Sequence, residues 1–234
     1  MQLPMFYQDA IDASQHSFAL SEETSRHCIQ VLRMKEAEQL WLTNGEGLKV
    51  KVAIKNAHKK ESVVEILEKE FVPHLGSKLC IGISPLKNTS RFEWFLEKAA
   101  ELGITEIIPL VCKRTEKEKF RIDRLNAILI SAMLQSQQSW RCKLQQPTSF
   151  EDFVRGNTAN KKLIAHCYQT EKHSLQSQLP TNNVALVIGP EGDFTNEEVD
   201  AAVNKGFIPV SLGNTRLRTE TAGIAGAVLL TQIK

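Results

Sequence analysis

Along the first third of the chain, apolar and basic residues take turns. Val50, Val52 and Ile54 fall on one parity, Lys49, Lys51 and Lys55 on the other. A period of two puts these sets on opposite faces of a β-strand. Just before them, Asn44-Gly45-Glu46-Gly47 separates two apolar runs, the signature of a hairpin turn. Residues 1–72 are therefore expected to be β-rich. With Lys59 and Lys60 nearby, the exposed strand face is expected to be positive, a property of a plain solvated face as much as of a binding one.

Beyond Pro73–Ser77 the period changes. Lys78 opens a short apolar strand, and Ser90-Arg91-Phe92-Glu93 has the spacing of a capping box. Phe92, Phe95, Leu96 and Ala99 follow at helical intervals until Gly103. Glu106 to Val111 predicts a strand, and Ile122, Leu125, Leu129, Ala132 and Met133 a second amphipathic helix. Strands are expected at Leu163 to Ala165, Val184 to Ile188 and Phe207 to Leu212. Thr195-Asn196-Glu197-Glu198 predicts another capped helix, closing at Lys205-Gly206. Strands alternating with helices argue for an α/β domain with a mainly parallel sheet. Two domains, 1–72 and 73–234, account for the change of period.

Composition narrows the class. Of 234 residues, 42% are apolar and 24% charged, as in ordinary globular proteins. A net charge of +2 gives no global field for nucleic acid, so any such surface must be local. MQLPMFYQDAIDASQ has no signal-peptide pattern, and no apolar run reaches bilayer length. Cys28, Cys80, Cys112, Cys142 and Cys167 are odd in number and scattered. They suggest neither a zinc site nor a disulfide framework and fit a reducing cytoplasm. The six histidines show no ligand spacing, so no metal is expected.

Two loops carry the candidate chemistry: IGPEGDFT, from Ile188, and LGNTRLRT, from Leu212. Each follows a predicted strand and precedes a helix, where open α/β sheets bind ligands. Gly189 and Gly192 would let backbone groups approach a ligand, although glycines after a strand are also simple turn residues. Neither loop has G-x-G-x-x-G or a phosphate-loop lysine, which argues against a Rossmann site and an NTPase. In the second loop Thr219 is a plausible helix cap, and Glu220 suits the helix dipole. Arg216 and Arg218 do not, since cations at a helix N-terminus are unfavourable; an Arg218–Glu220 pair is one structural explanation. The helix behind them, Ala222-Gly223-Ile224-Ala225-Gly226-Ala227, suits either a tight subunit interface or a crowded crossing.

Taken together, IGPEGDFTNEEV followed by VSLGNTRLRTETAGIA resembles the RsmE family of 16S ribosomal RNA uridine N3-methyltransferases, of the SPOUT class. The segments RHCIQVLRM, RFEWFLEKAAELGITEIIPL and AMLQSQQSWRCKLQQP extend the resemblance over most of the chain. It departs at Gln2 and Met5, where many members carry arginines, at Lys113-Arg114-Thr115 and at Ala37. The resemblance implies an α/β fold: a SPOUT-type domain with a deep C-terminal trefoil knot, which pattern reasoning alone would dismiss, preceded by a small PUA-like β-barrel. It also implies a cytoplasmic homodimer formed through the knot, acting on 16S rRNA in the 30S subunit.

The implied cofactor is S-adenosylmethionine, held by His166, by Ile188, Gly189, Pro190, Glu191 and Gly192, and by Ser211, Leu212, Gly213 and Leu217. Arg218 and Glu220 are the implied catalytic pair. Implied RNA contacts are Arg33, Lys51, Arg114, Arg141 and Arg216, with Lys113, Arg121 and Arg124 close by. Three rivals remain open: a knotted methyltransferase for a ribose 2′-hydroxyl, a non-catalytic ribosome-binding protein of the same fold, and a generic nucleotide-binding α/β enzyme.

Overall fold

The computed structural model describes residues 3–74, 76–116, 121–179 and 182–232; Gln2 lies outside them. The chain divides into two compact units, Met1–Leu75 with Met133–Arg141 and Gly76–Ala132 with Cys142–Lys234.

In the first unit, β1 (Met5–Tyr7), β2 (Ser17–Ala19), β3 (Gln39–Thr43), β4 (Leu48–Asn56) and β5 (Val63–Phe71) form one sheet in the order β1-β3-β4-β5-β2. A short helix, α1 (Glu22–Arg26), follows β2. The alternation read from β4 holds: Val50, Val52 and Ile54 are fully buried. The expected positive face is altered by its neighbour. In the antiparallel register Lys49 faces Glu70 and Lys51 faces Glu68, with charged atoms 3.4 and 4.0 Å apart. Exposed pairs of this kind contribute about 0–1 kcal/mol each; their larger effect here is to cancel the strand's charge.

The hairpin turn also forms, and it explains the unexpected membership of residues 133–141. The Asn44 side-chain oxygen accepts from the Glu46 and Leu48 N–H groups at 2.8 and 3.2 Å. Gly45 and Gly47 have φ of 71° and 90°. The Gly47 N–H donates to Ser139 and the Arg141 N–H to Gly45, so the turn docks edge-on against the later segment. A Cβ on Gly47 would lie 2.6 Å from the Trp140 ring. The linear reading placed 133–141 in the second domain because this contact spans ninety residues of sequence.

The second unit contains, in chain order, β6 (Lys78–Ile83), α2 (Thr89–Glu101), β7 (Glu106–Val111), α3 (Ile122–Gln135) as far as Ala132, β8 (Lys143–Leu144), β9 (Thr148–Ser149) and α4 (Phe150–Gly156). Then follow β10 (Lys161–Ala165), β11 (His173–Ser174), β12 (Asn183–Ile188), α5 (Asn196–Asn204), β13 (Ile208–Ser211) and α6 (Thr219–Thr231). The sheet is parallel throughout, ordered β11-β13-β10-β12-β6-β7-β8, with β9 beside β7. Leu79, Ile81, Ile83 and Leu186 bury one face against α2, α3 and α6. Cys80, Ala185 and Val187 bury the other with α4 and α5. Strands covered on both faces read as apolar runs, which is why β6 and β12 show no alternation.

Two helix starts differ from the sequence reading. α2 begins earlier: Asn88, not Ser90, is the cap, and its side chain accepts from the Ser90 N–H. The capping box at Thr195 and Glu198 is present as expected. Thr219 does not cap α6; its hydroxyl donates instead to the Gly189 carbonyl at 3.1 Å. The small residues of α6 serve a crowded crossing inside the chain. A Cβ on Gly223 would stand 2.5 Å from the Phe95 ring of α2, and one on Gly226 would stand 2.5 Å from Leu186 of β12. Replacing Gly223 by alanine is expected to destabilise the protein by about 1–3 kcal/mol, the range for overpacking a dense core. Gly156→Ala, where an added Cβ meets nothing within 4 Å, serves as the control. Equal unfolding midpoints for the two variants would refute the close crossing.

Candidate active site

The site is set by strand register. Ala165 of β10 pairs with Ile188 of β12 on one side and with Val210 of β13 on the other. The three strands therefore end within one residue of the same level, with His166 and Gly189 just beyond β10 and β12 and Ser211 closing β13. Above them lies a cavity of about 650 Å³, at the carboxyl ends of the strands, where parallel sheets offer backbone groups to a ligand.

Side chains from neighbouring loops fasten the loop after β12. Asp193, at φ 64°, accepts from the Cys167 and Phe194 N–H groups, both at 2.8 Å. Arg114 donates to the Gly192 carbonyl at 2.7 Å and to Phe194 at 3.3 Å. Glu191 accepts from the Lys87 N–H at 3.1 Å. Tyr168 donates its hydroxyl to the Phe194 carbonyl at 2.6 Å. A Cβ on Gly189 would be 3.0 Å from the Phe194 nitrogen, so glycine lets the loop fold onto itself. The loop after β13 is joined to this one by the Thr219–Gly189 bond.

Of the ten residues expected to hold a cofactor, nine line the cavity; Gly192 is the exception, its carbonyl turned to Arg114. Arg218 and Glu220 both line it. They do not form the ion pair considered from sequence. Glu220 is buried, at 7% exposure, and its carboxylate lies 3.7 Å from Nε of Arg91. Arg218 is exposed and has no ion-pair partner among the described residues.

The five expected RNA contacts separate in the same way. Arg216 is exposed on the cavity wall. Arg33 is exposed on the first unit, in a left-handed conformation at φ 57°. Lys51 faces Glu68, and Arg141 donates to the Tyr7 hydroxyl at 3.4 Å. Arg114 holds the loop carbonyls, Arg124 grips Glu93 at 2.6 and 2.9 Å, and Lys113 lies 4.0 Å from Glu197. Sequence reasoning missed Arg91, Lys172 and Asp193 on the cavity wall. Asp193 stands within the quoted loop and was within reach; Arg91 and Lys172 reach the site from segments that carry no local signal.

His166 is the most informative wall residue. It is buried, at 7% exposure, and neither ring nitrogen has a hydrogen-bond partner among the described residues. An unmade buried hydrogen bond costs about 1–3 kcal/mol, so an orphan imidazole facing a cavity fits a ligand that completes it. Burial first, and then the Lys172 ammonium, lower its pKa from the ordinary 6.5, while Asp193 acts the other way. The folded imidazole thus stays neutral where the unfolded one takes up a proton. Its stabilising contribution is present above about pH 6.5 and is lost as pH falls below it. In His166→Asn, the drop in unfolding midpoint between about pH 7.5 and pH 5.5 should be smaller than in the wild type. An unchanged drop would place the acid sensitivity elsewhere.

Comparison with known proteins agrees with this geometry. Residues 74–231 match the family model of an RNA methyltransferase domain, and residues 20–67 that of an RNA methyltransferase PUA domain. Ribosomal RNA small subunit methyltransferase E of Rickettsia conorii is 28% identical over 96% of this chain and 93% of its own. A Porphyromonas gingivalis structure, described as a probable rRNA-methyltransferase, superposes with a TM-score of 0.89. It is 33% identical, over 96% of this chain and 95% of that one. Ribosomal RNA small subunit methyltransferase E from Neisseria gonorrhoeae, bound to S-adenosyl methionine, has a TM-score of 0.88. It is 26% identical, with 99% and 98% of the two chains covered. The chain belongs to the RNA methyltransferase family of which ribosomal RNA small subunit methyltransferase E is a member.

Proposed function

We propose that this protein methylates N3 of a uridine in 16S rRNA of the small ribosomal subunit, using S-adenosylmethionine. One observation carries the reading: a buried carboxylate, Glu220, and an exposed arginine, Arg218, share a cavity with the orphan His166. The loops fit the cofactor in position, because the segments after β12 and β13 line one cavity at the strand ends and His166 offers one donor and one acceptor there. When bound, S-adenosylmethionine supplies a sulfonium-activated methyl group.

The protein's own residues then have defined tasks. Uracil N3 carries a proton at neutral pH and is not nucleophilic until that proton leaves. Glu220 accepts it, and Arg218 stabilises the negative charge that develops on O2 or O4. The base must leave its stack to reach the cavity. Arg216 beside the cavity and Arg33 on the first unit are the cations free to meet phosphates. Lys51, Arg114 and Arg141, already engaged, serve that purpose less.

The same reading includes a 30S-bound substrate, a cytoplasmic setting, a trefoil knot made by the last third of the chain, and a homodimer formed through it. The knot and the dimer both rest on the sequence resemblance, as the α6 glycines are already occupied within the chain. No described helix is long and apolar enough to cross a membrane, and no described cluster of side chains forms a metal site.

The test is methyl transfer from labelled S-adenosylmethionine to 30S particles lacking the modification, and to naked 16S RNA, followed by nucleoside identification. The expected product is 3-methyluridine at one site. Arg218→Ala should lower the rate by roughly 10²–10³-fold, the scale of losing one charge-stabilising donor, with the fold intact. A 2′-O-methylated nucleoside, or no transfer to either substrate, would overturn the proposal.

A further inference from the structure

Glu220 needs a partner that the sequence does not announce. It is the second residue of α6, where a carboxylate suits the helix dipole. Its side chain is only 9% exposed, yet no hydrogen bond to its carboxylate is formed among the described residues. A buried carboxylate without any counter-charge is strongly disfavoured. Arg91 is the one cation within 4 Å of it among the described residues.

Arg91 is itself oddly placed for a structural residue. It is the third residue of α2, and a cation in a first turn opposes the helix dipole. Local helix stability therefore does not account for it. Its side chain is 45% exposed and lines the cavity, with Nε 3.7 Å from the Glu220 carboxylate. The helix crossing fixes where the pair sits. Phe95 lies one turn beyond Arg91, and Gly223 one turn beyond Glu220, and a Cβ on Gly223 would stand 2.5 Å from the Phe95 ring. The same glycine that lets the helices touch brings the guanidinium to the carboxylate.

We infer that Arg91 is a positioning residue for methyl transfer: it holds the Glu220 carboxylate at the cavity in the orientation that accepts the N3 proton. The inference rests on the proposed function for the proton-transfer role and on geometry alone for the pairing. A residue that acts through Glu220 alone lowers turnover when removed and leaves binding in place.

A double-mutant cycle tests this in two readouts. Arg91→Gln, Glu220→Gln and the double variant are compared by denaturant unfolding and by single-turnover methyl transfer to 16S rRNA. Arg91→Gln should lower kcat by roughly 10²-fold, the cost of a small misplacement, with KM for RNA and affinity for S-adenosylhomocysteine unchanged. Arg91→Lys, which keeps the charge, should recover part of the rate. The double variant should be no slower than Glu220→Gln, and in unfolding it should lose less than the sum of the single losses. Additivity in either readout, or wild-type turnover by Arg91→Gln, overturns the inference. If the wild-type protein yields no 3-methyluridine, the functional reading fails instead, and the unfolding cycle still decides the pairing.

Discussion

The close approach of α6 to α2 and to the sheet is the constraint on which the site depends. Gly223 against Phe95 and Gly226 against Leu186 leave no room for a single added carbon. Because α6 lies so near, its first turn reaches over the strand ends. Thr219 then meets the Gly189 carbonyl, and Glu220 meets Arg91. The polar residues at the start of an apolar helix thus have a common origin in packing: the glycines bring the helix in, and the first turn meets the cavity wall.

Electrostatics follows from that placement. The cavity wall combines Arg91, Lys172, Arg216 and Arg218 with Glu191, Asp193 and Glu220. Most of these charges are committed to fixed tasks. Lys172 donates to the carbonyls of His166 and Tyr168 at 3.1 and 2.8 Å, Asp193 takes backbone N–H groups, and Glu191 takes that of Lys87. Arg216 and Arg218 remain exposed. His166 is kept neutral by burial, which leaves an uncharged donor–acceptor pair in the wall.

Much of this was legible in the sequence, and the reasons differ by feature. Local periodicity found β4, β7, α3 and the Thr195 capping box because each is written within a few residues. The loops after β12 and β13 stood out through glycines and charges that strand-end geometry explains. What failed was whatever depends on distant partners. The lysine face of β4 lost its charge to Glu68 and Glu70 of β5, and residues 133–141 joined the first unit through the Gly45–Gly47 turn. Thr219 looked like a cap and is a cross-link. Glu220 looked like a partner for its neighbour Arg218 and faces Arg91, more than a hundred residues away in sequence. The proposed knot rests on resemblance alone, since periodicity carries no information on threading.

The most direct test of the assembled site is calorimetric binding of S-adenosylhomocysteine to the wild type and to Thr219→Val, which keeps the shape of the side chain and removes its donor. The hydroxyl joins the two loops across the cavity floor. Its loss should weaken binding roughly tenfold, equivalent to about 1.4 kcal/mol, with the protein still folded. Equal affinities would mean that the loops hold their places without α6, and would contradict a site built by the close approach of that helix.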